Sequence, residues 1–282
     1  MINQEWKEFI SRSLLEDVGS GDHTTLAIIP PLLKGKAQLF VKEAGIIAGI
    51  DRAREIFSFL DAKSNVQILI NDGEFCDGKR NVAFVVEGNA RILLQTERLV
   101  LNIMQRMSGI ATTTHQYVKA VEGTKAKILD TRKTTPGFRS FEKEAVRIGG
   151  GFNHRFGLYD MILIKDNHID YAGSIETALT RVWRYLEDHH LQIPIEIEAR
   201  SINDVKTILI LGNVQRIMLD NFSLADTHKA VELVEHGVEL ESSGGIQLSN
   251  VRDYALCGVD YISVGAITHH VKSLDLSLKT AF

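Results

Sequence analysis

Two cysteines in 282 residues, Cys76 and Cys257, lie far apart, and neither stands in a CxxC or Cys-His spacing. No disulfide framework or thiolate metal site is suggested, and both are expected as buried or reduced thiols. No segment reaches the roughly 18 uninterrupted apolar residues of a membrane span. The opening "MINQEWKEFI" has neither a basic segment nor a long apolar run, which reads as a cytoplasmic chain. Positive charge is not in excess either: the formal net charge is −4. General attraction to nucleic acid or to an anionic membrane surface is therefore excluded, and any anion binding must be local. What is present, 44% hydrophobic and 24% charged residues, is a globular composition with material for one or two domains.

Local concentration of positive charge is what the middle of the chain shows. "DTRKTTPGFR" (130–139) and "GGGFNHRFGLYDMILIKDNH" (149–168) gather Arg132, Lys133, Arg139, Arg155 and Lys165 within 34 residues, beside His154. A solvated helix face mixes signs, whereas this run is broken by Pro136, a Gly149-Gly150-Gly151 run and apolar segments, which points to an anion site.

The second half of the chain has a rhythm. Apolar runs end in polar residues at "KILDTRK" (127–133), "MILIKDN" (161–167), "IEIEAR" (195–200), "RIMLDN" (216–221), "ELESSGG" (239–245) and "YISVGA" (261–266). Each reads as a buried strand. Between the later ones, "SINDVKTILILG" and "SLADTHKAVELVEHG" read as helices with Ser or Asp starts and Gly stops. Glu198, Asp220, Ser242 and Val264 fall 22 residues apart each time, one β-loop-α-loop unit with parallel, right-handed connections. An open doubly wound sheet and a closed barrel both fit this repeat. Reactive or phosphate-friendly groups at nearly every strand end favour a (β/α) barrel, whose C-terminal mouth collects residues from many strands. Only six or seven parallel strands fit between about residue 110 and 268, so the barrel is expected to be incomplete. Residues 1–109 lack the rhythm and read as a separate N-terminal α/β domain. Its helix "TERLVLNIMQRMSG" is expected to open on a Thr96 cap and close at Gly109, with Leu101, Met104 and Met107 in the core.

Bland readings compete with functional ones at each candidate. Arg132 and Lys133 in a loop suit surface decoration as well as a site, and the glycine run suits an awkward turn as well as close approach to a ligand. Lys165 ends an apolar run at the mouth, with a salt bridge to Asp166 or Asp220 as its ordinary role. Glu196 and Glu198 alternate with isoleucines and share one strand face. If that face is the interior, each carboxylate must be paired, protonated, or bound to a metal or sugar hydroxyl. Gly244, Gly245 and Gly265 leave backbone N–H groups open ahead of a helix, an arrangement that cradles phosphate after the last two strands of many barrels. The ordinary alternative is two βα turns.

These segments, in this order and spacing, resemble the quinolinate phosphoribosyltransferase family, also called nicotinate-nucleotide pyrophosphorylase (carboxylating). The resemblance rests on "DTRKTTPGFR", "EKEAVRIGGGFNHRFGLYDMILIKDNH", "EIEAR", "LDN", "ESSGGI" and "SVGAITH", with "LLEDVGSGDHTT" and "TERLVLNIMQRMSGIAT" extending it over essentially the whole chain. It implies an incomplete barrel over residues 110–268, an N-terminal domain over 1–109 on which the tail 269–282 packs, and a homodimer. It implies that Thr131, Arg132, Lys133, His154, Arg155 and Lys165 surround the two carboxylates of quinolinate, and that Arg98 enters from the partner subunit. Glu198 and Asp220 would face the ribose hydroxyls and the pyrophosphate-bound Mg2+ of phosphoribosyl pyrophosphate, and Ser243, Gly244, Gly245, Val264, Gly265 and Ala266 its 5-phosphate. Lys133, Lys165, Glu198 and Asp220 would be the catalytic set, with the lysines positioning rather than reacting. Phe138 stands where the family has a smaller apolar residue, and the stretch from Glu198 to Asp220 is one residue longer. That leaves either Glu196 or Glu198 facing the ribose. Rival readings are a Schiff-base aldolase using Lys165, a non-catalytic anion-binding barrel, and a homologue acting on a different nitrogen base.

Overall fold

The computed structural model describes residues 4–79, 81–234 and 237–281. The chain forms two compact units, Met1–Thr113 with Ser140–Gly150 and Val271–Phe282, and Thr114–Arg139 with Gly151–His270.

The second unit contains the parallel sheet. Six strands, Lys127–Leu129, Ile162–Ile164, Ile195–Ala199, Arg216–Asp220, Glu239–Ser243 and Tyr261–Ser263, run parallel. Their spatial order is the first, then the sixth back to the second. All six sit where the apolar runs place them. Ile197, Ala199, Ile217 and Ile262 are fully buried, as expected of strands covered on both faces. The helices Ile202–Leu211 and Leu224–Leu233 start on Ser201 and Ser223, whose hydroxyls accept from the backbone N–H of Asp204 and Asp226. Gly212 ends the first, while the expected end of the second includes positions 235 and 236, outside the described residues.

Among the described residues the sheet does not close. Its edge strands are Lys127–Leu129 and Ile162–Ile164, and beyond the former only Phe152 adds a single parallel bridge, to Leu129. Past that bridge the His154 N–H donates to the Asp130 carboxylate at 2.9 Å, and the chain enters a tight loop in which the Asp160 carboxylate accepts from the N–H groups of Phe156 (2.6 Å) and Gly157 (2.9 Å). The expectation of an incomplete barrel of six or seven strands resolves into six strands and one bridge.

The first unit holds a four-stranded antiparallel sheet in the order Leu276–Thr280, Lys34–Val41, Asn81–Asn89 and Asn65–Ile68. The tail strand pairs Leu278 with Leu39. Ser140–Gly150 also belongs here rather than with the barrel, for a visible reason. On the helix Arg139–Ile148, Phe141 packs against Trp6 and Phe9 at centroid distances of 5.1 and 5.0 Å. Glu142 and Glu144 pair with Arg106 and Arg52.

One helix departs from its sequence signals. It runs Ala90–Ala120, so neither Thr96 nor Gly109 is an end. The Thr96 hydroxyl turns back to the Ile92 carbonyl at 2.7 Å instead of capping, the i−4 bond open to threonine inside a helix. Leu101, Met104 and Met107 are buried as expected. Gly109 is glycine because of packing: a Cβ there would press on the Lys272 carbonyl oxygen and lie 2.9 Å from Cγ1 of Val271. At an open helical position Gly→Ala gains about 1 kcal/mol, but overpacking costs about 1–3 kcal/mol. Gly109→Ala is therefore expected to lower the urea midpoint, and a raised midpoint would show that the Val271–Lys272 segment yields freely.

Candidate active site

All six strands present their C-terminal ends on one rim, and the sequence-selected groups of the second unit lie there or just inside. Equal sequence spacing does not mean equal height. In the strand register Glu198 is level with Met218, two residues short of Asp220, while Asp220 is level with Ser243. The stagger of a barrel sheet shifts the 22-residue markers along the rim.

Lys165 follows the strand Ile162–Ile164, and its Nζ lies 2.6 Å from Oε1 of Glu198. The ordinary role anticipated for it, a bridge to Asp166 or Asp220, falls instead to Glu198, whose longer side chain reaches from the adjacent strand. The other Glu198 oxygen accepts from the Asp166 N–H at 3.0 Å. Asp220, at the end of the next strand, accepts from its neighbour Asn221. Its carboxyl is raised above the usual range, chiefly by burial, with Glu198 and Asp166 adding to the effect and Lys165 opposing it.

Thr131, Arg132 and Lys133 form the loop after Lys127–Leu129, where the Thr131 hydroxyl accepts from the Lys133 N–H. Arg132 and Lys133 are exposed. Arg155 is only 8% exposed; burial, and then Arg132, hold its guanidinium below the ordinary arginine pKa, against the pull of Glu196, Asp160 and Glu198. A buried cation beside a second cation is a place where a carboxylate is welcome. Arg155 lines a cavity of about 450 Å³ at the open edge of the sheet, with Leu158, Met161, Ile164, His168 and Tyr171 around it. A larger surface hollow of about 580 Å³ in the first unit, beside Lys7, Ser11 and Phe59, brings together no strand-end groups.

The last two strands end in turns that glycine makes possible. Gly244 has φ +92°, and a Cβ there would collide with the Asn221 side chain and lie 3.0 Å from its backbone nitrogen. Ser243 accepts from the Asn221 N–H, fixing that turn, and Gly245 follows at φ +62°. Val264 donates to the Leu129 carbonyl, and Gly265 and Ala266 open the short helix Ala266–His269. The Lys133 loop is tied to this turn, since the Thr268 hydroxyl donates to the Lys133 carbonyl at 2.8 Å. Cδ of Lys133 and Nε2 of His269 lie 3.1 and 3.0 Å from where a Gly265 Cβ would be. His269 was not singled out by the sequence, although it closes "SVGAITH"; the helical spacing from Gly265 was the available signal. The Gly149-Gly150-Gly151 run proves to be the turn that ends Arg139–Ile148.

One pleat below Glu198 lies a cluster the sequence did not foresee. Glu196, Glu241 and His154 are buried together, Nε2 of His154 being 2.9 Å from Glu196 and 3.6 Å from Glu241. Arg216 approaches from the start of its strand, 3.0 Å from Glu241, with its guanidinium 3.9 Å from the Tyr261 ring centroid. Burial pushes both carboxyls up to about 7. Glu198 is thus the carboxylate at the mouth and Glu196 the one beneath it. Arg98 is exposed on the helix Ala90–Ala120 of the first unit.

Glu198 and Asp220 are hard oxygen donors of the kind magnesium takes. Among the described residues the only close three-ligand group is His154, Glu196 and Glu241, so the rim acids make no ready cage. That donor set fits an ion carried mainly by a polyanionic substrate.

A rim of this kind, with exposed and buried cations, two carboxylates and two glycine turns at the strand ends, defines an α/β barrel suited to anionic ligands. The particular family follows from comparison. Residues 22–108 and 110–279 match the N-terminal and C-terminal domains of quinolinate phosphoribosyl transferase, and the chain belongs to that family. It is similar to quinolinate phosphoribosyltransferase [decarboxylating] 2b, mitochondrial, of Nicotiana tabacum, 44% identical over 97% of this chain and 81% of the relative. It is also similar to the probable nicotinate-nucleotide pyrophosphorylase [carboxylating] of Bacillus subtilis, 41% identical over 99% and 94%. Among solved structures, NadC from Streptococcus pyogenes superposes with a TM-score of 0.91 at 37% identity over 98% and 97% of the two chains. No helix among the described residues is long and apolar enough to cross a membrane.

Proposed function

We propose that this chain transfers the phosphoribosyl group of phosphoribosyl pyrophosphate to the ring nitrogen of quinolinate, releasing pyrophosphate and carbon dioxide and leaving nicotinate mononucleotide. The observation that carries the reading is the set of groups met along one rim in spatial order: Arg132 and Lys133, the glycine turns of the sixth and fifth strands, Asp220, Glu198 and then Lys165, with Arg155 beside the open edge.

In this reading the cations take the two carboxylates of the pyridine, with Thr131 at their edge. The last two turns, from Ser243 to Gly245 and from Val264 to Ala266, take the 5-phosphate through backbone N–H groups. Lys165 is 46% exposed at its side chain and can swing from Glu198 to a substrate carboxylate, which leaves Glu198 to the ribose. Departure of pyrophosphate makes the ribose oxocarbenium-like, and Glu198 and Asp220 stabilise that charge. The ring nitrogen forms its bond to C1, and the nitrogen becomes cationic. The bond from C2 to its carboxylate then breaks, carbon dioxide leaves, and the electron pair stays at C2 beside the positive nitrogen until a proton replaces it. Magnesium near Glu198 and Asp220 would neutralise the leaving pyrophosphate. Holding two substrates in register supplies much of the rate.

A homodimer is part of the proposal, with Arg98 supplied by the partner. It is supported by Leu158 and Tyr171, 68% and 90% exposed, on the lining of the Arg155 cavity, since exposed apolar side chains grouped at a site mark an interaction surface. A cytoplasmic location is supported by Cys76 and Cys257, both free thiols; the names of some plant relatives place those proteins in mitochondria or chloroplasts.

The test is to combine protein, magnesium, quinolinate and phosphoribosyl pyrophosphate and to look for nicotinate mononucleotide. Product from nicotinate and none from quinolinate would overturn the substrate assignment. Lys133→Ala and Arg155→Ala each remove a charge-assisted contact of about 1.5–3 kcal/mol. Both should weaken quinolinate binding more than phosphoribosyl pyrophosphate binding in equilibrium dialysis, and equal losses would undo the cationic assignment.

A further inference from the structure

His154 reaches the rim region, yet its ring is turned inward. It is 8% exposed. Nδ1 accepts from the Arg155 backbone N–H at 2.7 Å, so that nitrogen carries a lone pair, and the ring proton sits on Nε2. Nε2 faces Glu196 Oε2 at 2.9 Å and Glu241 Oε2 at 3.6 Å. The acids in turn are held by Arg216, whose Nη1 is 3.0 Å from Glu241 and 3.9 Å from Glu196. Arg216 is braced from below by Glu239 at 3.1 Å and by the Tyr261 ring. Four groups from four segments therefore end on a single backbone nitrogen, that of Arg155.

Two buried carboxyls are expensive, and apolar residues of like volume serve stability as well or better. What apolar residues would not supply is a carboxylate beside Nε2, where Glu196 Oε2 stands at ion-pair distance, 2.9 Å away, though off the line of an N–H bond. Without it, only the Arg155 N–H itself favours the tautomer with its proton on Nε2, and the anchor of the residue that carries the guanidinium is weakened. Among the described residues the Arg155 guanidinium has one hydrogen bond, from Nη1 to the Met161 carbonyl at 3.3 Å.

We propose that Glu196 and Glu241, with Arg216, are positioning residues for the cationic side of the site, acting through His154 to fix Arg155. This rests on the reading of Arg155 as a contact for a pyridine carboxylate. The same three ligand atoms lie close enough to hold a metal ion, but Arg216 already places a cation against both acids, and a dication would have to expel it.

The experiment compares Glu196→Leu, which removes the polar group beside Nε2, with Glu196→Gln, which keeps an oxygen of the same reach there. Wild type must first turn over quinolinate; if it does not, the functional reading fails, whatever the variants do. Given wild-type turnover, Glu196→Leu is expected to raise the dissociation constant for quinolinate about tenfold or more, as small displacements of a binding group do. Phosphoribosyl pyrophosphate should stay within about twofold, and Glu196→Gln should recover most of the quinolinate loss. Equal loss for both substrates, or no loss for quinolinate, overturns the inference, because a purely structural role would not separate them. Should Glu196→Leu fail to fold, 15N NMR of histidine-labelled wild type decides, with the His154 signal assigned by its loss in His154→Asn. A proton on Nε2 alone supports the inference, and a proton on Nδ1 overturns it. One equivalent of tightly bound metal in the purified protein would also overturn it, by making these side chains ligands.

Discussion

Arg98→Ala and Lys165→Ala chains, each nearly inactive alone, are expected to regain about a quarter of wild-type activity when mixed in equal amounts and allowed to exchange subunits. Each active site in the proposed dimer takes Arg98 from one chain and Lys165 from the other. A heterodimer of the two variants then has one site with both defects and one with neither. Half of randomly exchanged dimers are mixed, and one of the two sites in each works. Arg98 is exposed within its own chain, so its loss costs little stability, and both variants should fold. The measurement is steady-state turnover alongside native mass spectrometry, which verifies the heterodimers. Heterodimers that form and stay inactive would place Arg98 within its own site or outside any site.

A second large effect is expected at Glu198. Glu198→Ala should lower kcat about 10²- to 10³-fold, the range for removing one preorganised group from the stabilisation of developing charge. It also leaves Lys165 without its 2.6 Å partner and the Asp166 N–H without its acceptor, so Glu198→Gln, which keeps an acceptor, is the paired variant. The glutamine should restore local order but not kcat, since the missing element is negative charge. A kcat within tenfold of wild type in both variants would move the ribose role away from Glu198. Glu196→Gln, one pleat lower, should retain far more of kcat.

The choice between those two glutamates shows where sequence reading ends. Alternation with isoleucine told that Glu196 and Glu198 share a face, and strands buried on both sides read as apolar runs, so six strands and their polar ends were legible. Depth along the barrel was not. It depends on stagger between neighbouring strands, which puts Glu198 level with Met218 rather than Asp220. It depends also on Arg216, a residue at the start of a strand that reads as an ordinary solvated end until its guanidinium is found against Glu241. Thr96 and Gly109 misled for a related reason. Both residue types punctuate helices, but Thr96 bonds within its helix, and Gly109 answers to Val271 and Lys272, 162 and 163 positions away. Lys165 was found as a strand-end lysine, yet its partner required knowing which strand stands beside it.

The edge strand Leu276–Thr280 has a consequence for how the molecule is made. It pairs with Lys34–Val41, so the sheet begun by the earliest strand is completed only by the last. The helix Arg139–Ile148, which carries Phe141 to Trp6 and Phe9, also arrives after the chain has passed through the first barrel strand. During synthesis every strand of the barrel leaves the ribosome before Leu276 does. The unit that starts first therefore finishes last, with an open sheet edge beside Lys34–Val41 in the meantime, and unpaired edges of that kind invite association between nascent chains. Severing the chain once near residue 110 would give an amino-terminal fragment lacking both its edge strand and the Phe141 contact. For this molecule, independent folding of the two units is a matter of spatial compactness and not of contiguous chain.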